Sequence, residues 1–152
     1  MKKAISFLLI IGVICGLTMC LNSCAKKENK AEIFKLVEEN KEILLEDIQS
    51  KSFQRSQNIK RMRSVSESLD KKGCVRYSYE TGDTFWVGSY YEGFYYIESD
   101  DIFTICYNLE KHPNYEMTVE NDKYTFMEIE GGDNYFYFEK ICDNFYYYYE
   151  KY

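Results

Sequence analysis

The sequence predicts an α+β fold: one N-terminal amphipathic helix packed on a curved antiparallel sheet of about five to seven strands. Three observations predict it. All 16 Tyr fall between Tyr77 and Tyr152, and tyrosine favours the pleated, half-buried setting of a strand. From Ala31 to Ser50, by contrast, Ile33, Leu36, Val37, Leu44 and Ile48 recur on one face of a 3.6-residue repeat. Short turn signals then divide the second half into alternating or apolar runs.

On the predicted helix, Glu38, Glu39, Glu42 and Glu46 lie mostly away from the apolar stripe. Asn40 falls within it, where it needs a buried backbone partner or faces a gap in the packing. The acidic polar face argues against a membrane-surface helix, which favours Lys and Arg. Residues 51–63 are basic, with Lys51, Arg55, Lys60, Arg61 and Arg63 set among Ser, Gln and Asn. They read as a solvated connector ending in a strand near 61–67, with contact to anionic lipid headgroups as the competing reading.

Gly73 opens the β-rich half. In Cys74–Glu80, Val75, Tyr77 and Tyr79 alternate with Arg76, Ser78 and Glu80, the period of a half-buried strand. Thr81-Gly82-Asp83 is a turn. Thr84–Gly88 and Tyr91–Ser99 read as strands, with Gly88 and Gly93 marking bends or bulges. Ile102–Tyr107 is a short apolar run, and Lys111–Asn114 is a loop around Pro113. Tyr115–Val119, Lys123–Glu130, Asn134–Ile141 and Asn144–Lys151 follow, and their short turns predict an antiparallel meander. A cystatin-like helix-on-sheet shape fits this order, with a small β-barrel carrying a helix as the alternative.

At the N-terminus, Lys2 and Lys3 precede residues 4–21, which carry no charge, and Asn22-Ser23-Cys24-Ala25 follows. A basic start, an apolar core and a small-residue cleavage region make a secretory signal peptide. Leu21-Asn22-Ser23-Cys24 resembles the box of bacterial lipoprotein precursors at Leu21, Ser23 and Cys24, and departs from it at Asn22. The resemblance covers only the leader. It implies a diacylglyceryl thioether on Cys24 and cleavage before it. An uncleaved transmembrane anchor and an ordinary cleaved signal are the rival readings. The expected organisation is a signal peptide over 1–23, lipidated Cys24 and a polar tether over 24–30, and one Tyr-rich domain over 31–152. The expected place is the extracytoplasmic face of a cell membrane, held by lipid.

Charge narrows the partners. The net charge of −6 becomes −8 once Lys2 and Lys3 leave, with 17 basic residues facing 25 acidic ones, which argues against nucleic acid. Among the aromatic strands, Tyr135-Phe136-Tyr137-Phe138 alternates. Phe, with no polar group, should face the helix-covered core, while Tyr keeps its hydroxyl near water or a ligand. Tyr146–Tyr149 then place two phenols on each face. Tyr135, Tyr137, Tyr147 and Tyr149 are therefore the candidate binding residues, a rigid platform for a peptide, a protein or cell-wall glycan. The competing reading is that these rings only pair across strands to stabilise the sheet.

No catalytic or cofactor-binding residue is singled out. Glu98, Asp100 and Asp101 cluster, as do Glu128, Glu130 and Asp133, but in so acidic a chain these read as solvated turns. His112 is the one His, beside the one Pro, in a loop. No nucleophile-elbow, phosphate-loop or C-x-x-C pattern occurs. Cys74, Cys106 and Cys142 lack zinc-site spacing and read as small hydrophobes of strands. No cofactor and no metal is implied. The function expected is non-enzymatic binding, with an envelope hydrolase and a purely structural envelope lipoprotein as alternatives.

Overall fold

A computed structural model of the chain describes residues 29–67, 73–79, 90–129 and 131–152. The chain divides into two compact units, Met1–Glu32 and Ile33–Tyr152. Of the first, residues 29–32 are described and are helical. The expected signal peptide and Cys24 lie outside the described residues, as do most of the tether and the strand expected over Thr84–Gly88.

The second unit begins with helix α1, residues 33–50. Ile33, Val37 and Leu44 of its apolar stripe are buried. Asn40, inside the stripe, donates its side-chain amide to the Leu36 carbonyl one turn back, at 2.8 Å. The basic connector contains one helical turn, α2, Gln54–Gln57. It is held to α1 by Asp47, whose buried carboxylate accepts the Ser56 N–H at 2.7 Å.

Among the described residues seven strands follow: β1 Met62–Glu67, β2 Cys74–Tyr79, β3 Tyr90–Ile97, β4 Tyr115–Glu120, β5 Lys123–Glu128, β6 Tyr135–Cys142 and β7 Phe145–Lys151. All neighbours are antiparallel. The order β1-β2-β3-β7-β6-β5-β4 leaves β1 and β4 at opposite edges, so the sheet is open and the barrel alternative fails. The expected meander holds only in two pieces. After β3 the chain passes through helix α3, Phe103–Glu110, to the far edge at β4. Successive hairpins then step back until β7 pairs with β3.

Helix α3 takes up the short apolar run Ile102–Tyr107 and corrects the strand setting expected of Cys106. A short apolar run does not reveal its period. Here Ile102 and Cys106, four residues apart, are buried, with Leu109 packed against the same core. Asp101 starts the helix by accepting the Phe103 N–H at 3.0 Å, an Asx turn at the entry. The hairpin turns match their residues: Asn121 and Asp122 both take positive φ between β4 and β5, as a tight two-residue turn requires.

Gly93 is not a bulge, since its pairing is regular on both sides. A Cβ there would sit 2.0 Å from the Tyr77 carbonyl oxygen and 2.9 Å from the Tyr148 ring. The glycine lets Tyr148 lie flat across the strand. The register breaks fall elsewhere, between Met62 and Ser64 and between Lys140 and Cys142.

Two buried clusters flank the sheet. One gathers Ile33, Val37 and Leu44 with Val75, Tyr77, Phe94, Phe145 and Tyr147. The other gathers Ile102 and Cys106 with Ile97, Phe126, Phe136, Phe138, Tyr146 and Tyr148. Phe136 and Phe138 are buried as their chemistry predicts, but beneath α3. Cys74 and Cys106 are buried and Cys142 half-buried, all three as thiols.

Candidate functional site

Register sorts the tyrosines by face. Tyr137 pairs with Tyr149, Glu139 with Tyr147 and Tyr135 with Lys151. On the other flank of β7, Glu92 pairs with Tyr149, Phe94 with Tyr147 and Tyr90 with Lys151. Directly paired antiparallel residues share a face, so Tyr135, Tyr137, Tyr147 and Tyr149 lie together on one face with Tyr90 and Glu92. Tyr146 and Tyr148 lie on the other.

The four predicted residues are brought together but are not alike. Tyr147 is 3 % exposed and belongs to the core. Its ring meets Phe34 at 6.0 Å and Tyr137 at 6.1 Å. Its hydroxyl donates to Glu92 Oε1 at 2.5 Å, and Glu92 is itself buried. Burial first, then the Glu92 charge, push the Tyr147 phenol far above its ordinary range, so it remains a proton donor to that carboxylate.

Tyr135, Tyr137 and Tyr149 are half-buried. Tyr149 stacks on Tyr90 at 5.9 Å and meets Tyr135 edge-on at 6.1 Å, distances at which aromatic pairs attract. The Tyr137 hydroxyl donates to Glu139. Burial, then that bond, raise the Tyr137 phenol. Lys151, between Tyr90 and Tyr135 in register, sends its ammonium to Asp133 at 2.9 Å. Tyr149 and Tyr137 pack on the buried cluster of this face, to which no residue of β4 or β5 belongs. Beyond it, Met127 pairs with Tyr135 and is exposed. The result is a half-open aromatic strip, Tyr90–Tyr149–Tyr135, with an apolar neighbour and Tyr137 at its flank.

The opposite face carries a polar group that alternation did not reveal as a unit. Arg76 donates to Glu150 Oε2 at 2.8 Å and to the Tyr148 hydroxyl at 3.1 Å, and its guanidinium lies over the Tyr148 ring at 4.5 Å. Tyr148 in turn donates to Ser78 at 3.3 Å, and Tyr152 donates to Glu150 at 3.4 Å. Burial and the Glu150 charge lift the Tyr152 phenol to about 12. Glu92, Glu150 and Arg76 are the residues sequence reasoning missed. The available signal was a charged residue within an aromatic strand, since a buried charge must be paired.

Asp100 and His112 both have partners within the fold. Asp100 accepts from Lys140 at 2.6 Å, the Asn144 N–H at 2.9 Å and Tyr146 at 3.1 Å. Burial alone would raise its carboxyl, but those bonds hold it below its ordinary value. His112 accepts the Asn114 N–H at 3.4 Å and packs edge-on against Tyr115 at 5.3 Å. Among the described residues no cluster of His, Cys, Asp and Glu could hold a metal ion, and no helix is long and apolar enough to cross a membrane. No family model, no curated protein and no solved structure matches the chain.

Proposed function

We propose that this chain is a membrane-anchored extracytoplasmic lipoprotein, lipidated at Cys24, that works as a non-enzymatic binding module through its tyrosine strip. The observation that carries the binding reading is the half-open run Tyr90–Tyr149–Tyr135, ring to ring at 5.9 and 6.1 Å. Phenols held by mutual packing give a large contact area at small entropic cost. Their hydroxyls suit a peptide, protein or glycan surface that offers both apolar and hydrogen-bonding groups. The same reading takes α1 as the cover of one sheet face, in a cystatin-like arrangement. It is supported by the cluster of Ile33, Val37 and Leu44 with Val75, Tyr77 and Phe94.

A purely structural role is the second reading, and Tyr147 favours it, because that phenol is sealed against Glu92. Capture of cell-wall fractions and secreted peptides separates the two. The wild-type chain should retain a partner that a folded Tyr135→Ala/Tyr137→Ala variant loses. A folded variant that keeps every partner refutes the platform. Anchoring is tested by metabolic labelling with a clickable fatty acid, where label on wild type and none on Cys24→Ala is expected. Equal labelling of both refutes the lipid assignment.

A further inference from the structure

The strand β4 forms one edge of the sheet, and all of its residues but Tyr115 are exposed. Its pairing with β5 settles which backbone groups look outward. The Asn114 carbonyl accepts the Ile129 N–H at 2.9 Å, and hydrogen-bonded pairs recur at every second residue of an antiparallel ladder. Glu116, Thr118 and Glu120 therefore direct their N–H and C=O to β5, opposite Met127, Thr125 and Lys123. The N–H and C=O of Met117 and Val119 point away from the sheet. The Tyr115 N–H is already taken by the His112 carbonyl at 3.2 Å.

Natural sheets guard such edges with Lys, Pro, a bulge or a covering element. The other edge, β1, has a register break, carries Arg63 and lies against α2. In β4 the register is regular and the strand holds neither Lys nor Pro, and its charges, Glu116 and Glu120, repel an acidic strand but not a basic one. Two side-chain rows flank the open ladder. Met117 and Val119, 40 % and 51 % exposed, lie on the α3 side. Glu116, Thr118 and Glu120 lie on the other.

We propose that the β4 edge accepts an extended segment of a partner protein as an added antiparallel strand. Its pattern is basic–apolar–any–apolar–basic, with Lys or Arg opposite Glu116 and Glu120 and apolar side chains opposite Met117 and Val119. Four backbone hydrogen bonds, from the two outward N–H and two outward C=O groups, give the affinity. The alternate side chains give the selectivity. This goes beyond the tyrosine strip, which lies on other strands.

A second copy of the chain fits less well. Pairing β4 with itself about Thr118 uses all four outward groups but sets Glu116 against Glu120 of the second copy, twice. Pairing about Met117 avoids that clash but needs the Tyr115 N–H that His112 holds. A basic strand has neither defect.

The test titrates the full chain, in detergent micelles, into a fluorescent peptide, acetyl-Thr-Lys-Val-Thr-Val-Lys-Thr-amide. The control peptide has Glu for both Lys. Anisotropy reads binding, and amide exchange reads where the strand lies. The basic peptide should bind and slow exchange at Met117 and Val119 by about tenfold or more, while the acidic one should not bind. A Glu116→Lys/Glu120→Lys chain should reverse the preference, with about a tenfold loss for the basic peptide. Val119→Pro, which removes one outward N–H and leaves the β5 pairing intact, should weaken binding too. The proposal is overturned by no binding, by wild-type affinity in either variant, or by binding without protection at Met117 and Val119. Protection that grows with protein concentration alone overturns it in favour of self-pairing.

Discussion

Replacing Tyr147 with Phe removes a single oxygen and keeps the ring that packs against Phe34 and Tyr137. The lost hydroxyl is the donor to Glu92 Oε1 at 2.5 Å, and both residues are almost wholly buried, at 3 % and 2 % exposure. A hydrogen bond to a buried charged group is worth roughly 1.5–3 kcal/mol, because water cannot replace the missing donor. Tyr147→Phe should therefore cost about 2 kcal/mol and lower the thermal midpoint by roughly 5–10 °C for a domain of this size. Urea unfolding followed by far-ultraviolet circular dichroism reads the first figure, and a thermal scan the second. Tyr135→Phe, half-buried on the neighbouring strand, is the control and should stay within about 0.5 kcal/mol. In a double-mutant cycle with Glu92→Gln, the two sites should couple by about 1 kcal/mol or more. If Tyr147→Phe unfolds within about 0.5 kcal/mol of the wild type, the hydroxyl is not what keeps Glu92 buried.

Three further outcomes follow from the same contacts. Arg76→Met leaves Glu150, whose side chain is 7 % exposed, without its cation; a loss of about 3 kcal/mol is expected, and Arg76→Met/Glu150→Leu should recover part of it. A double variant no more stable than Arg76→Met in urea would refute that account. Gly93→Ala drives a methyl to 2.0 Å from the Tyr77 carbonyl. Backbone cannot yield as a side chain can, so a cost of about 3 kcal/mol is expected, and wild-type stability would show that β2 and β3 are not so closely apposed. In alkali, Tyr77, Tyr95 and Tyr147 resist ionisation, foremost because they are buried. Their folded pKa values lie above the unfolded ones, so the stability they contribute is present below the ordinary phenol value of 10.0 and lost as pH rises past it. Phenolate absorbance at 295 nm should rise in two phases, the second coinciding with loss of circular dichroism; one smooth non-interacting titration would contradict this.

Local chemistry made most of the strands legible. Alternation in Cys74–Tyr79 and Tyr135–Phe138 marks faces that the register confirms, and Asn121-Asp122 marks its turn by residue type alone. What was not legible is non-local or too short to carry a period. The α3 segment buries Ile102 and Cys106 on a helical face, yet it offers barely two turns, and an apolar run of that length suits a strand equally well. Pairing of β3 with β7 depends on residues about 50 positions apart, and no turn signal encodes it. The tyrosine strip was half legible. Alternation grouped the four tyrosines on one face but set that face away from the helix, whereas Tyr137, Tyr147 and Tyr149 pack in the cluster of Ile33, Val37 and Leu44, and the sealing of Tyr147 depends on Glu92, a partner far away in sequence.

The position of β7 has a consequence for how the sheet holds together. It is the seam, bonded to β3 on one flank and β6 on the other. Among the described residues, no ladder joins β1–β3 to β4–β6 except through it. The single strand Phe145–Lys151 thus works as a zip, and its two rows of backbone bonds are what make one sheet of two.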